Sequence, residues 1–500
     1  MISYSPASVS TSRSLPQPGI DLRQVRVRHV PLRAVLVMAA MAWLLFLFFQ
    51  RGNPWDESEH GHVAWLISQG QKPLEDFFQH HQPLLWSLLA LYYRAGFSGA
   101  GVLIWGRLLV LLAAGISIAA LFALGRDASN SFRVRQCLGC AVFVALTVML
   151  NELFVIRPET IAAALLLGGL AVWTRQRDAL SAAVSGMFAA LAVYASPRMV
   201  LLGGFFLLMG TQTVRRWLLF VAAGLGTVGV YTLASGFSLS KILFNLRFSS
   251  YLQSIGDGPA GMSARFWVAV ALCVCVPLLM LAANLPGPYR RRGALFVGYA
   301  LMVFVACHIS AGLFRYQQAY APFVLSVAIA AAWIGGRVRL TVRPQMALAP
   351  IVLALLWFPV GKSVRMMRPR FDFLASVRAR NRVAALVPPG ETVLLYTRDS
   401  PITVRDASYY GIPMWDGQDR LCRAVRGFQA RSDFRLPPCD FFETLQSTKP
   451  YLTETDIGPM LAMADVPGAK VFIRQNYRLQ DLGDDVPLYL RGQVVIRGHD

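Results

Sequence analysis

Apolar residues in this chain recur in runs close to twenty residues long, each closed by a short polar link, between positions 32 and 361. A helix of about that length crosses a hydrocarbon core roughly 30 Å thick. Spans are predicted near 32–50, 101–125, 135–152, 157–174, 179–196, 198–212, 216–235, 263–284, 293–311, 317–335 and 345–361. A soluble core could hide one or two such runs, not this many. Between the first two spans the pattern changes. Pro54–Trp55–Asp56 breaks the first run, and Asp56 is placed to cap a helix from Glu57 to about Ser68. A second, shorter apolar helix over Pro83–Ala95 lies at the interface or dips into it. After Lys362 the chain turns polar and rich in Pro, Gly and Asp, with β-like runs at Thr392–Tyr396, Lys470–Ile473 and Gln493–Ile496. The pattern predicts an all-α polytopic membrane domain with about eleven transmembrane helices, followed by a C-terminal extracytoplasmic α/β domain.

Composition agrees, with 55% hydrophobic residues, 15% charged residues and a mean hydropathy of +0.47. A soluble domain carries roughly a quarter charged residues. The net charge of +21 suggests nucleic acid only until the positions are read. Basic residues fall in every second link: the N-terminal tail, Arg126/Arg133/Arg135, Arg175/Arg177, Arg215/Arg216, Arg290/Arg291/Arg292 and Arg337/Arg339/Arg343. By the positive-inside rule those links are cytoplasmic, which predicts an odd number of spans. No recognition motif for nucleic acid is present, so no nucleic-acid partner is expected. No cleavage site follows the first run, which is expected to stay as a span. The expected organisation is a cytoplasmic basic tail (1–31), a transmembrane domain (32–365) with a first outer loop at 51–100, and an outer domain (366–500).

The first outer loop concentrates the polar chemistry. It holds His60, His62, His80 and His81, four of the seven histidines in the chain, with Asp56, Glu57, Glu59, Glu75 and Asp76. Asp56, Glu59 and His60 share one face of the predicted helix, while Val63, Leu66 and Ile67 form an apolar face that could rest on the membrane. Glu59, Glu75 and His62 read as solvated groups of an interfacial loop. Asp56–Glu57 with His80–His81 suit a metal or proton-transfer site, with Asp56, His60, His80 and His81 as candidate metal ligands. Arg157, Arg198 and Arg315 sit at predicted outer span ends, where positive charge is disfavoured. They either snorkel to headgroups or share an anionic ligand such as a lipid phosphate. The outer loop 236–262 is long enough to cover such a site. Cys137 and Cys140 read as packing residues. Cys422 and Cys439 are the only cysteines of the tail, and an outer compartment permits a disulfide between them.

Asp56–Glu57, His60, Ala64-x-x-Ile67-x-x-Gly70 and Asp76–Phe77–Phe78-x-His80–His81–Gln82–Pro83–Leu84 resemble the first outer loop of GT-C superfamily membrane glycosyltransferases. The branch is that of protein O-mannosyltransferases and bacterial lipid A aminoarabinose transferases. Arg157–Pro158–Glu159 is similar to a corner common in bacterial members. The resemblance implies a multi-pass protein of the bacterial cytoplasmic (inner) membrane. It would transfer a sugar from a polyprenyl-phosphate donor to a glycan, lipid or protein acceptor at the periplasmic face. It implies Asp56 as general base or as the group that orients the acceptor, and Glu57 as its support or as part of a metal site. Where the aminoarabinose transferases have Glu-Lys-Pro-Pro, this chain has His81–Gln82–Pro83–Leu84. The phosphate-binding lysine is therefore absent, and Arg157, Arg198 or Arg315 would replace it. A divalent metal ion is compatible with the histidines. No Gly-rich phosphate loop calls for a nucleotide cofactor. A polyprenyl-linked sugar or lipid transporter (flippase), or a non-catalytic lipid-binding protein, are the competing readings. The absence of acids from the deep spans and of a visible repeat weighs against transport.

Overall fold

Helices follow the apolar runs. A computed structural model describes residues 55–126, 137–149, 155–175, 178–209, 213–255, 264–310, 317–338, 373–388, 390–394, 402–410, 418–439, 441–448, 451–454, 468–480 and 494–498. The predicted spans 32–50 and 345–361, the basic tail and the boundary near residue 366 lie outside them. In order the helices are α1 (Trp55–Ser68), α2 (Leu84–Arg94), α3 (Val102–Gly125), α4 (Leu138–Met149), α5 (Pro158–Arg175), α6 (Ala179–Ala195), α7 (Gly204–Leu208), α8 (Val214–Ser235), α9 (Leu239–Ile255), α10 (Ala264–Ala283), α11 (Gly287–Ser310), α12 (Ala321–Arg337) and α13 (Phe373–Leu386). Among the described residues four stretches, Gly99–Gly125, Val214–Ser235, Arg265–Ala283 and Gly287–Ser310, are long and apolar enough to cross a membrane.

The bundle is assembled from neighbouring pairs. α5 packs between α3 and α6, α6 against α8, and α12 against α4 and α11. Helix α12 is buried along nearly its whole length, because Val324, Leu325, Ile329 and Trp333 meet protein on all sides. Helix α8 is the opposite case. Leu218, Leu225 and Leu233 stand at least 65% exposed. Apolar surface of that extent on a long helix is suited to lipid, not water.

One predicted span is broken. Over 198–212 the chain forms a 3-10 turn, Pro197–Leu202, and then the short α7. Pro197 fixes the start, and the backbone groups freed by the break find partners on other helices. Tyr299 Oη accepts from the N–H of Gly204 (2.9 Å) and donates to the carbonyl of Leu201 (2.6 Å). Trp173 Nε1–H donates to the carbonyl of Phe206 (3.0 Å). A broken helix at membrane depth is tolerated only when its backbone is paired in this way. The break places Arg198 on the 3-10 turn.

The C-terminal part carries α14 (Gln418–Gln429), α15 (Phe441–Thr448), α16 (Ala469–Asn476) and a mixed sheet of β1 (Thr392–Leu394), β2 (Arg405–Asp406), β3 (Tyr451–Glu454), β4 (Tyr477–Gln480) and β5 (Val494–Gly498). The strand order is β2-β1-β3-β5-β4, with β1 parallel to β2 and β3, and β5 antiparallel to β3 and β4. Two of the predicted β-like runs overlap β1 and β5. The third, Lys470–Ile473, is helical and belongs to α16, where Phe472 meets Phe442 of α15 edge to face. The strand begins only at Tyr477.

Two apolar clusters tie this part to the bundle. Ala64, Leu89, Val102, Leu103, Ile156, Phe373, Val377 and Ile402 form one. Phe78, Phe244, Phe248, Tyr410, Leu421, Cys422, Val425 and Phe428 form the other, which joins the first loop, α9 and α14. Cys422 and Cys439 are joined in a disulfide, with Cα atoms 5.2 Å apart.

Candidate active site

Helix α1 organises the site. It begins at Trp55, so Asp56 lies in its first turn and does not cap it; the Asp56 side chain lies outside the described residues. Glu57 follows, fully buried. Its carboxylate accepts from Arg107 Nε and Nη2 of α3 (3.2 and 2.9 Å) and from the backbone N–H of Ile156 (3.2 Å). The Arg107 guanidinium also lies 3.8 Å from the centre of the Phe373 ring. Glu57 therefore acts as an anchor: it fixes the start of α1, and with it the Asp56 backbone, to α3 and to the corner before α5.

One turn further, expectation and structure part. Glu59 and His62, read from the sequence as solvated, are 1% and 2% exposed. Each is held by a distant partner. Gln79 Nε2–H donates to Glu59 Oε1 (2.8 Å), while Gln79 Oε1 accepts from the N–H of His80 (2.7 Å) and of His81 (3.3 Å). One amide thus brackets the acid and the histidine pair. Glu59, His80 and His81 offer ligand atoms that all lie within 4.8 Å of one another. Glu59 takes the place expected of His60. Trp86 Nε1–H donates to His60 Nδ1 (2.9 Å), which leaves the ring proton on Nε2 and no free lone pair for a metal. Val63 and Leu66 do not rest on a membrane surface but pack with Phe77 and Trp86.

His62 reaches the C-terminal part. Its Nδ1 lies 2.7 Å from the carbonyl of Ile402, and its Nε2 2.7 Å from Asp406 Oδ2. Gly61 allows this approach, since a Cβ there would press on Val102, Leu103 and Ile402. Burial alone lowers the proton affinity of His62, but the Asp406 carboxylate outweighs it and the pKa is raised. Burial raises that of Asp406 despite His62. Both shifts favour keeping one proton in the pair.

The charges of two arginines act on the histidine pair. Arg157, 15% exposed, makes a 3.5 Å contact to Glu159, and Arg198 is half-buried. Burial, then His80, His60, Arg157 and Arg198, hold His81 well below the ordinary histidine range. His81 is therefore neutral at pH 7, and two guanidinium charges act on the same point. Arg315 lies outside the described residues.

Helix α9, in the loop expected to act as a cover, lies against the His80–His81 turn. Asn245 Nδ2–H donates to the carbonyl of His81, and Ser249 Oγ–H to that of His80 (3.5 Å). Phe244 and Phe248 pack on Phe78 with ring centres 6.3 and 5.3 Å away. Among the described residues, Gln82 Oε1 and Asn245 Oδ1 are buried without a hydrogen-bond partner. Sequence reasoning missed Arg107, Gln79, Asn245 and Asp406. Only Arg107 carried a signal, as an arginine inside a predicted span.

No protein-family model matches the sequence, and no curated protein matches it significantly. The fold does match solved structures. ArnT from Cupriavidus metallidurans bound to undecaprenyl phosphate superposes with a TM-score of 0.57 at 14% identity, covering 92% of this chain and 98% of that one. Its apo state gives a TM-score of 0.56 at 13% identity, covering 93% and 98%. The chain shares the polytopic helical fold of the ArnT structures, and its loop between α1 and α2 meets the C-terminal part against α9.

Proposed function

We propose that this protein is a glycosyltransferase that moves a sugar from a polyprenyl-phosphate donor to an acceptor at the outer face of the bacterial cytoplasmic membrane. The observation that carries this reading is the buried cluster of Glu59, His80 and His81 held against α9, on which the charges of Arg157 and Arg198 act. The likeness to a protein solved with undecaprenyl phosphate supports the choice of carrier. In the orientation set by the basic links, this end of the bundle faces outward.

The chemistry follows from the groups present. An acceptor hydroxyl attacks the anomeric carbon of the donor while the bond from that carbon to the phosphate oxygen breaks. Asp56 takes the hydroxyl proton, and the electron pair leaves with the polyprenyl phosphate. Negative charge grows on that phosphate, where Arg157 and Arg198, with Arg315 as a third candidate, stabilise it. Arginine suits this better than a lone ammonium because its fork binds two phosphate oxygens. The buried acceptors Gln82 Oε1 and Asn245 Oδ1 fit sugar hydroxyls. Helix α9 keeps bulk water from the anomeric carbon. Two imidazoles and a carboxylate form a donor set suited to a divalent metal ion. Glu59, His80 and His81 would hold it, and it would supply a fixed positive charge beside the phosphate.

Proteoliposomes offered a panel of polyprenyl-phosphate sugars test the proposal. The native chain transfers or releases sugar, and Asp56→Asn lowers turnover by at least about 100-fold while inserting normally. Full activity in Asp56→Asn removes the role given to that residue.

A further inference from the structure

Helix α9 is apolar on two opposite faces, and the contacts of the two differ. Phe244 and Phe248 are buried against Phe78 and Phe428. At roughly 100° per residue, Leu239, Leu243 and Leu246 fall in one stripe on the other side, and all three are exposed. The stripe continues a surface that begins on α8. Leu233, near the end of α8, is 85% exposed, and Leu239, at the start of α9, is 67% exposed. Between them the chain turns at Gly236, which holds the left-handed conformation that favours glycine after a helix. The lipid-suited side of α8 therefore runs on round the corner onto α9.

Where the leucines end, positive charge begins. Leu246 is the apolar edge of a groove of about 950 Å³, whose α9 wall continues with Arg247, Ser250 and Tyr251. The other wall is the end of α14 and the turn after it. Arg247 reaches from α9 to the Phe434 ring (5.7 Å), and Arg431 reaches back from the turn to the Tyr251 ring (5.5 Å). Arg435 holds the turn, donating from Nη1 to the carbonyls of Ser432 (2.9 Å) and Phe434 (3.2 Å). All three arginines are exposed, and none is paired with a carboxylate among the described residues. Asp433 is the single acid of the lining, so the groove is net positive. The Cys422–Cys439 disulfide closes the loop that carries the turn. Asn245 and Ser249 bond the His80–His81 turn from another face of α9. The body of the helix thus separates the groove from the reacting centre, and a ligand held here is not a reactant.

We infer that the leucine stripe seats α9 on the bilayer surface where α8 ends, and that the groove takes the phosphate-diester headgroup of an anionic phospholipid. The acyl chains of that lipid lie beside Leu239, Leu243 and Leu246, and its phosphate meets Arg247 and Arg431. A guanidinium binds phosphate oxygens through paired N–H groups, and basic residues at a membrane surface are drawn to anionic lipid. Tyr251 and Phe434 suit the same depth, because aromatic rings gather where a bilayer meets water. The continuity with α8 decides for a lipid over a soluble anion, since a soluble anion makes no use of the leucines that lead to the groove. A helix seated in this way lies in the plane of the interface with its apolar face in the lipid. Its other face bonds the carbonyls of His80 and His81, so the bound lipid holds α9 in place over that turn.

The test uses the full chain in phosphatidylcholine nanodiscs, with phosphatidylglycerol added as the anionic probe. Native mass spectrometry counts the lipid retained by each chain, and hydrogen exchange locates it. Phosphatidylglycerol is retained in preference to phosphatidylcholine, and it slows exchange in α9 and in the turn after α14. Arg247→Ala and Arg431→Ala each weaken retention about fivefold, while Arg247→Lys, which keeps the charge, weakens it less. Leu239→Ser with Leu243→Ser weakens it too, because the acyl chains lose their wall. Arg265→Ala removes an exposed arginine at the start of α10 and leaves retention unchanged. An intact disulfide and an unchanged melting temperature show that the variants are folded. Undiminished retention in the Arg247 and Arg431 variants, or in the leucine pair, overturns the inference. Equal weakening by Arg265→Ala overturns it as well, since the attraction would then be spread over the whole surface. Displacement of the lipid by inorganic phosphate does the same, by making the groove a site for a soluble anion. Retention is read without turnover, so this result and that of the transfer assay stand or fall separately.

Discussion

Two buried charge pairs leave the same helix for different parts of the molecule. Glu57 binds Arg107, which ties α1 to the bundle; His62 binds Asp406, which ties α1 to the C-terminal part. The first pair is fully buried and built from a guanidinium fork that stays charged at any ordinary pH. The second is nearly as buried but joins a histidine to a carboxylate, and the proton affinity of each is raised. The difference teaches which contact holds the site and which one can respond. A permanent anchor suits the helix that carries Asp56, while a titratable link suits a part whose attachment can change.

The largest effect is expected at the permanent pair. Arg107→Ala leaves the Glu57 carboxylate buried without its charge partner, which costs about 3–5 kcal/mol. It also removes the guanidinium from the Phe373 ring. Thermal unfolding in detergent, followed by tryptophan fluorescence, reads the loss. Adding Glu57→Ala to Arg107→Ala recovers part of it, because the stranded charge is gone. A melting temperature unchanged by Arg107→Ala would mean that the pair does not anchor α1.

The contrast between the pairs also explains what the sequence revealed. Helices were legible because the apolar runs are long and their ends are marked by arginines and prolines. The broken span was not, because its stability depends on Tyr299, about a hundred residues away, bonding Gly204 and Leu201 across the break. Asp56–Glu57 and His80–His81 stood out as a site because polar residues cluster there. Glu59 and His62 looked solvated, since the partners that pay for their burial lie 20 and 344 residues further on. The tail cysteines were legible as a pair for a simple reason: there are two of them. Lys470–Ile473 has a strand-like composition, yet it lies in a helix whose Phe472 packs edge to face on Phe442, a contact the local sequence does not show.

A smaller effect is expected from the covalent tie in the C-terminal part. The Cys422–Cys439 disulfide closes a loop of sequence separation 17, beside the cluster that holds α9. Closing a loop of that size restricts the unfolded chain by about 3 kcal/mol. Cys422→Ser with Cys439→Ser should raise hydrogen exchange in α14 and α9 and leave α3 and α5 protected. Equal loosening of α3 would show that the two attachments are one cooperative unit, and the comparison between the pairs would lose its meaning.

The titratable pair gives the smallest effect and the most specific one. His62 faces two acceptors, the Ile402 carbonyl and the Asp406 carboxylate, each at 2.7 Å. A neutral imidazole has one N–H and cannot satisfy both, so the contact needs an extra proton, on the ring or on Asp406. The raised affinities of both groups have the same sign. A group whose folded pKa lies above its unfolded value stabilises the fold below the unfolded pKa, and that stability is lost as pH rises through the folded pKa. Attachment of the C-terminal part should therefore weaken as pH rises from the ordinary histidine value of 6.5 through the higher value of the folded protein. Hydrogen exchange around β2, compared between pH 6 and pH 9, should show the opening, and the Glu57–Arg107 end of α1 should not follow it. His62→Ala removes the slope and costs about 1–3 kcal/mol at low pH by stranding Asp406. A slope that survives in His62→Ala would place the proton elsewhere, and α1 would then carry two anchors and no switch.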